Sequence, residues 1–239
     1  MAIRLHVEVP VHAGAALVLP PGPARHAQVR RVQPGDALQL FDGQGGEWAA
    51  VVTGMGRSEV TVQVGERQAV HTELPVRVTL ALGVPTNERM DALVEKATEL
   101  GVAALHPLMC DRSVLRLQGE RAERKRAHWQ AIAVAACEQC GRSTVPVVEP
   151  IRSFTEWLAH APAPGARLLL SLARGAPPLR TLPADDSAVL SLSGPEGGLS
   201  PGEERAAIAA GFAPVGLGPR VLRADTAPLA LLAWIGLRG

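Results

Sequence analysis

The periodicity of the apolar residues changes once along this chain, between Arg67 and Pro75, and the change divides it into two folding problems. Before it, IRLHVEV, AALVL, ALQLF, EWAAVV and EVTVQV are short alternating runs, broken at Pro20 to Pro23, Pro34-Gly35-Asp36 and Asp42-Gly43. Runs of that length between such breakers predict a small β-barrel. One helical insert, Ala24 to Val32, is expected to turn Val29 and Val32 inward and to leave Arg25, His26, Arg30 and Arg31 free for water or a partner. The glycines of Asp42 to Gly46 supply the positive φ that a hairpin turn needs, which explains this loop better than a phosphate cradle does.

Beyond the change, VRVTLAL is an unbroken apolar run suited to a strand buried on both faces. Met90, Leu93, Val94, Ala97 and Leu100 follow at helical spacing, and Gly101 ends that helix. Then come strand AALHPLMC, a helix from Glu120 to Cys140 with Trp129, Ile132, Ala133 and Ala136 on one face, strand VPVV, and helix Phe154 to His160. Strands RLLLSL and AVLSLS, helix Pro201 to Ala210, strand PVGLG and a helix from Ala224 complete the chain. Such alternation specifies a mostly parallel sheet covered by helices. The expected class is α/β, with the barrel over residues 1–70 and the parallel-sheet domain over 71–239.

Composition removes several alternatives. With 47% hydrophobic residues in 239, the chain can bury a real core and is not disordered as a whole. A net charge of +1 gives no global attraction for a polyanion, so any nucleic-acid contact must come from local clusters. Three cysteines cannot close a set of disulfides, Met1 leads into an alternating run rather than a secretory segment, and the most apolar stretch, Ala227 to Leu237, is far shorter than the roughly 20 residues of a membrane-spanning helix. The expectation is a soluble protein of a reducing cytoplasm with no membrane partner.

Ligands of an open parallel sheet sit beyond the carboxyl ends of its strands, and two glycine-rich turns fall there. Ser193-Gly194-Pro195-Glu196-Gly197-Gly198-Leu199-Ser200 leaves one strand and enters a helix; it is neither a dinucleotide fingerprint nor a Walker A loop, and by itself it is equally a tight connection. The second, Leu217-Gly218-Pro219-Arg220-Val221-Leu222-Arg223-Ala224-Asp225-Thr226, puts two arginines into a turn otherwise made mainly of small and apolar residues, where they can clamp a phosphate or a base; Asp225 or Thr226 can cap the helix that follows. Cys137-x-x-Cys140 lacks the second pair that zinc needs and lies at a helix carboxyl end, where a thiolate is disfavoured, so it reads as packing. Glu138, Gln139 and Arg142 either line a site or hold the following loop. His26, His106 and His128 read as surface or loop-packing residues, and Met90 and Trp129 as core. The cluster Arg112, Arg116, Arg121, Arg124, Lys125 and Arg126 is equally an RNA contact or a solvated helix face, since Glu120 and Glu123 interleave with it.

Four segments together carry a resemblance: Glu95-Lys96-Ala97-Thr98-Glu99-Leu100-Gly101-Val102; Ala136-Cys137-Glu138-Gln139-Cys140-Gly141-Arg142 with Val145-Pro146; Gly194-Pro195-Glu196-Gly197-Gly198; and Leu217-Gly218-Pro219-Arg220-Val221-Leu222-Arg223. In order and spacing they resemble the ribosomal RNA small-subunit methyltransferase E family, of the SPOUT trefoil-knot superfamily. Arg25-His26 to Arg31-Val32, Pro34-Gly35-Asp36 and Leu40-Phe41-Asp42-Gly43 extend the likeness to the family's PUA-like RNA-binding barrel. Three places depart from the family pattern: Pro85-Thr86-Asn87-Glu88 where a Lys-Gly pair is usual, Asp225-Thr226 for Glu-Thr, and Pro228 early in the last helix.

The resemblance implies a homodimer that binds S-adenosyl-L-methionine in a knotted carboxyl-terminal pocket and methylates N3 of a uridine in 16S ribosomal RNA, free or in the assembled 30S subunit, with no part for DNA. It assigns the cofactor to Leu172, Gly194, Pro195, Glu196, Gly197, Gly198, Leu217, Gly218, Val221, Leu222, Arg223 and Thr226. Methyl transfer is an in-line displacement that needs alignment and no metal. Loss of the N3 proton builds negative charge that a cation favours, which points to Arg223, with Arg220 beside it. RNA contacts are expected from Arg25, Arg30, Arg31 and Arg112. The competing readings are a ribose 2′-O-methyltransferase of the same superfamily and a non-catalytic RNA-binding assembly factor.

Overall fold

A computed structural model describes residues 3–57, 59–162, 165–173, 175–179 and 188–238, Asn87 by its backbone alone. The chain forms two compact units. The first comprises Met1–Glu73 together with Val134–Val145, and the second Leu74–Ala133 with Pro146–Gly239.

In the first unit, β1 (Ile3–His6), β2 (Ala16–Val18), β3 (Ala37–Phe41), β4 (Glu47–Met55) and β5 (Val60–Gln68) form one mixed sheet in the order β1-β3-β4-β5-β2. β1 runs parallel to β3, and the other pairs are antiparallel. Alternation puts Leu38 and Leu40, and then Val60, Val62 and Val64, into a single apolar core. Helix α1 (Pro21–Val29) starts earlier than expected, because Pro21 suits a first helical position. Its inner face is Ala24 and Ala27; Val29 is 72% exposed, which corrects the expectation for that residue, while Val32 is buried beyond the helix end. Small alanines let the helix lie close to the sheet, so the larger valine is left outside. Gly43 and Gly45 take positive φ, and Asp42 Oδ1 accepts from the N–H groups of Gln44 and Gly46.

Residues 134–145 hold this unit by polar contacts. Glu47, 4% exposed, accepts from Arg4 at 2.6 Å and from Ser143 at 2.5 Å. Glu138 accepts from the His6 N–H and pairs with His26, and Arg142 pairs with Glu73. Glu138 and Arg142 therefore brace the barrel and the loop after their helix.

The second unit is built on β6 (Arg77–Gly83), β7 (Ala104–Met109), β8 (Val147–Val148), β9 (Arg152–Ser153), β10 (Ala166–Leu170), β11 (Ala188–Ser193) and β12 (Ala213–Val215). Their order is β12-β10-β11-β6-β7-β8, with β9 also on β7, and every pair is parallel. Helices α2 (Asn87–Glu99), α3 (Gly119–Cys140), α4 (Phe154–Ala159), α5 (Pro201–Ala209) and α6 (Thr226–Gly236) connect or follow the strands. Only the first part of α3, to Ala133, belongs to this unit. Met90, Leu93, Val94, Ala97 and Trp129 are fully buried, as their spacing requires. Burial pushes the Cys110 and Cys137 thiols up to about 12, so neither is a thiolate at neutral pH. Among the described residues no helix is long and apolar enough to cross a membrane.

Candidate functional site

The chain leaves β6 toward β7 and β8 on one side and returns to place β11 and β10 on the other. That order sets the carboxyl ends of the neighbouring strands β10 and β11 side by side, and ligands of such sheets sit beyond the carboxyl ends of the strands. A cavity of about 510 Å³ lies there. Its walls are residues 169–173 at the end of β10, residues 193–199 after β11, residues 221–224 before α6, and Arg89, Arg112, Glu204 and Ala227. A second cavity of about 240 Å³ is lined by residues 215–222, 170–173, 175, 176 and 227, and the two share Leu170–Ala173, Val221, Leu222 and Ala227 as a common wall.

The glycine-rich loop keeps its shape through close backbone approach. A Cβ on Gly194 lies 2.5 Å from the Leu199 nitrogen and 2.6 Å from the Gly198 carbonyl carbon, so no other residue fits without opening the loop. The Gly198 N–H donates to the Pro195 carbonyl at 2.8 Å, with Gly198 at φ +69°. Ser200 and Glu203 form a capping box at the start of α5. Glu203 also accepts from the Asp111 N–H at 2.9 Å, and Ser200 donates to the Asp111 carboxylate at 2.6 Å, which ties this loop to the one after β7.

Among the described residues five charged side chains line the larger cavity. Glu196 accepts from the Thr86 N–H at 2.9 Å and faces Arg89 at 3.7 Å. Burial opposes its charge, but that N–H, its own backbone N–H and Arg89 hold the carboxyl below the ordinary carboxylate range. Arg112 donates to the carbonyls of Gly197 at 3.0 Å and Leu199 at 3.3 Å. Glu204 accepts from Ser171 at 2.8 Å. Arg223 is exposed, and among the described residues its side chain has no hydrogen bond or ion pair. Its carbonyl accepts from the N–H groups of Thr226 and Ala227, fixing it to the first turn of α6.

The structure brings most of the residues singled out from sequence to this place. Leu172, Gly194–Gly198, Val221, Leu222, Arg223 and Arg112 line the larger cavity, and Leu217, Gly218 and Arg220 the smaller one. Thr226 is in neither lining; it begins α6. Asp225 holds the cap position without making a cap bond, and its Oδ1 is buried with no partner. Arg25, Arg30 and Arg31 are exposed on or just after α1 in the first unit. Sequence reasoning passed over Arg89 and Glu204, because each sits in an amphipathic helix among other charged residues. The bonds of Arg112 to the glycine-rich loop give a testable outcome. Arg112→Ala should raise the dissociation constant of the cavity's ligand about tenfold, the equivalent of one charge-assisted hydrogen bond. A titration by calorimetry checks this, and unchanged affinity would leave Arg112 without a role in shaping the loop.

Comparison with known proteins agrees with the geometry. The RNA methyltransferase domain model matches residues 72–236, and the RNA methyltransferase PUA domain model matches residues 24–65. The chain is 35% identical to ribosomal RNA small subunit methyltransferase E of Synechocystis sp. over 98% of its own length and 77% of that protein's. It superposes on the crystal structure of ribosomal RNA small subunit methyltransferase E from Neisseria gonorrhoeae bound to S-adenosyl methionine with a TM-score of 0.93 and 36% identity, covering 98% of this chain and 97% of the other. A Legionella pneumophila protein solved with the same cofactor gives a TM-score of 0.94 at 31% identity, over 100% and 98% of the two chains.

Proposed function

This chain belongs to the ribosomal RNA small subunit methyltransferase E family of RNA methyltransferases, and on that premise we propose that it methylates N3 of a uridine in small-subunit ribosomal RNA with S-adenosyl-L-methionine as donor. The observation that carries the reading is the meeting of the two glycine-rich turns on adjoining cavities, with the unpaired Arg223 on the wall. In this reading residues 1–70 are the RNA-binding barrel and 71–239 the catalytic domain, closed by the trefoil knot that the resemblance implies.

The residues present suit this cofactor. The larger cavity falls in the size range of small-molecule sites, and Gly194, Gly197 and Gly198 have no Cβ to keep an adenosine away from the backbone of the loop. Leu170, Leu172, Val221 and Leu222 offer apolar walls, and Glu196 and Glu204 offer acceptors for a donor with a net positive charge. When bound, the cofactor supplies an electrophilic methyl group. The chain's own part is to hold the acceptor nitrogen in line with it and exclude water. Arg223 stabilises negative charge on a uracil carbonyl as the N3 proton leaves, with Arg220 close by in the same turn. Arg25, Arg30, Arg31 and Arg112 contact the RNA. The target lies on the Watson–Crick edge, so it must be unpaired when it enters.

The homodimer of the family is supported by α6, which is apolar around its circumference and carries the half-buried Trp234 and, just beyond its end, Leu237 at 88% exposure. A cytoplasmic place follows from a ribosomal substrate. The test is transfer of labelled methyl groups to small subunits that lack the modification, followed by nuclease digestion and mass spectrometry. A single methylated uracil base is expected; methylation on ribose, or none, contradicts the proposal.

A further inference from the structure

On α3 in the second unit, Arg121, Arg124, Lys125 and His128 stand at i, i+3, i+4 and i+7, which places them on one face of the helix. Among the described residues these four line a shallow depression of about 230 Å³. The neighbouring acids do little to neutralise this stripe. Glu123 is spent on Arg126 at 2.9 Å, and Glu120 reaches Arg124 only at 3.6 Å with both side chains largely in solvent. Asp91 accepts from His128 and Trp129, both at 2.9 Å. Arg121 and Lys125 have no acidic partner among the described residues.

Such a stripe works against the helix that carries it. Arg121 has like-charged neighbours three and four residues on in Arg124 and Lys125, and all three occupy the first two turns, where the helix dipole opposes positive charge. A polyanion lying along it would relieve both. The lining consists of hydrogen-bond donors, with neither carboxylate nor apolar anchor, and it extends about 10 Å along the axis, enough to meet more than one backbone phosphate. A protein partner would call for apolar or aromatic anchors instead.

We infer that the Arg121–His128 face of α3 is a phosphate-binding surface that grips the backbone of the substrate RNA outside the cavity and independently of sequence. The inference rests on the reading that the substrate is RNA, and it assigns residues that sequence alone left undecided between RNA contact and solvated face.

The test is the variant Arg121→Gln/Arg124→Gln/Lys125→Gln. The logarithmic salt dependence of binding to a naked small-subunit RNA fragment should become shallower by about 2 to 3, since each lost phosphate contact removes roughly 0.7 to 0.9. KM for small subunits should rise about tenfold or more, with kcat and the affinity for S-adenosylmethionine within about twofold of the parent. The thermal midpoint should not fall, because repulsion has been removed. Lys125→Gln alone should remove about one unit of slope, which keeps the inference testable if the triple variant folds poorly. An unchanged slope and KM overturn it, as does weakened binding to assembled subunits with binding to naked RNA intact, which would make the surface a protein contact. If the parent protein methylates no small subunits, the proposed function fails instead, and the salt slope still reports on the stripe.

Discussion

Replacing Arg223 with alanine is expected to slow methyl transfer to small subunits about a hundredfold or more, the usual cost of removing one preorganised electrostatic stabiliser from an enclosed site. The thermal midpoint should stay close to that of the parent, because this exposed side chain makes no hydrogen bond or ion pair among the described residues. The other two cavity arginines are already engaged, Arg89 with Glu196 and Arg112 with the carbonyls of Gly197 and Leu199. Of the described arginines that line the larger cavity, Arg223 is the one whose guanidinium makes no hydrogen bond or ion pair. Single-turnover rates, with cofactor affinity measured alongside, separate a loss of chemistry from a loss of binding. An unchanged rate removes Arg223 from the mechanism.

Gly194→Ala should act in the opposite way, through binding and fold together. The new methyl group meets backbone at 2.5 to 2.9 Å, and backbone cannot rotate aside as a flexible side chain can. The loop over residues 194–199 must open, taking its carbonyls and N–H groups out of register with the ligand. Cofactor affinity is expected to fall about a hundredfold, and overpacking of this kind costs about 1 to 3 kcal/mol of stability. Gly22→Ala is the control: it lies in α1 of the first unit, outside the lining of either cavity, with nothing within 4 Å of the added Cβ. There alanine should leave cofactor binding alone and hold or raise stability, by up to about 1 kcal/mol. Calorimetric titration and thermal unfolding read both variants. Parent-like affinity in Gly194→Ala would mean that this loop does not form the binding surface.

Much of this arrangement was legible in the sequence, and the reason is local. The apolar run VRVTLAL becomes β6, buried from Leu80 onward, and Gly194, Gly198 and Gly218 mark turns that need close backbone approach or positive φ. What escaped depends on contacts between residues far apart in the chain. Nothing near Arg112 announces that it will donate to Gly197, 85 positions later. Arg89 and Glu204 look like solvent-facing helix residues until the sheet order brings their helices to the same crevice. The joining of residues 134–145 to the first unit is of the same kind: Ser143 and Glu47 are 96 positions apart, and a buried polar network has no periodicity to betray it. At Val29 the apolar pattern misled, because small alanines rather than the valine give the close packing of α1.

The most direct test is a crystal structure of the protein soaked with S-adenosylmethionine. The adenosine is expected against the backbone of residues 194–198 and 217–222, with the methyl group directed toward the space beside Arg223. A cofactor bound elsewhere on the chain, or held with its methyl group turned away from Arg223, would contradict the proposed function.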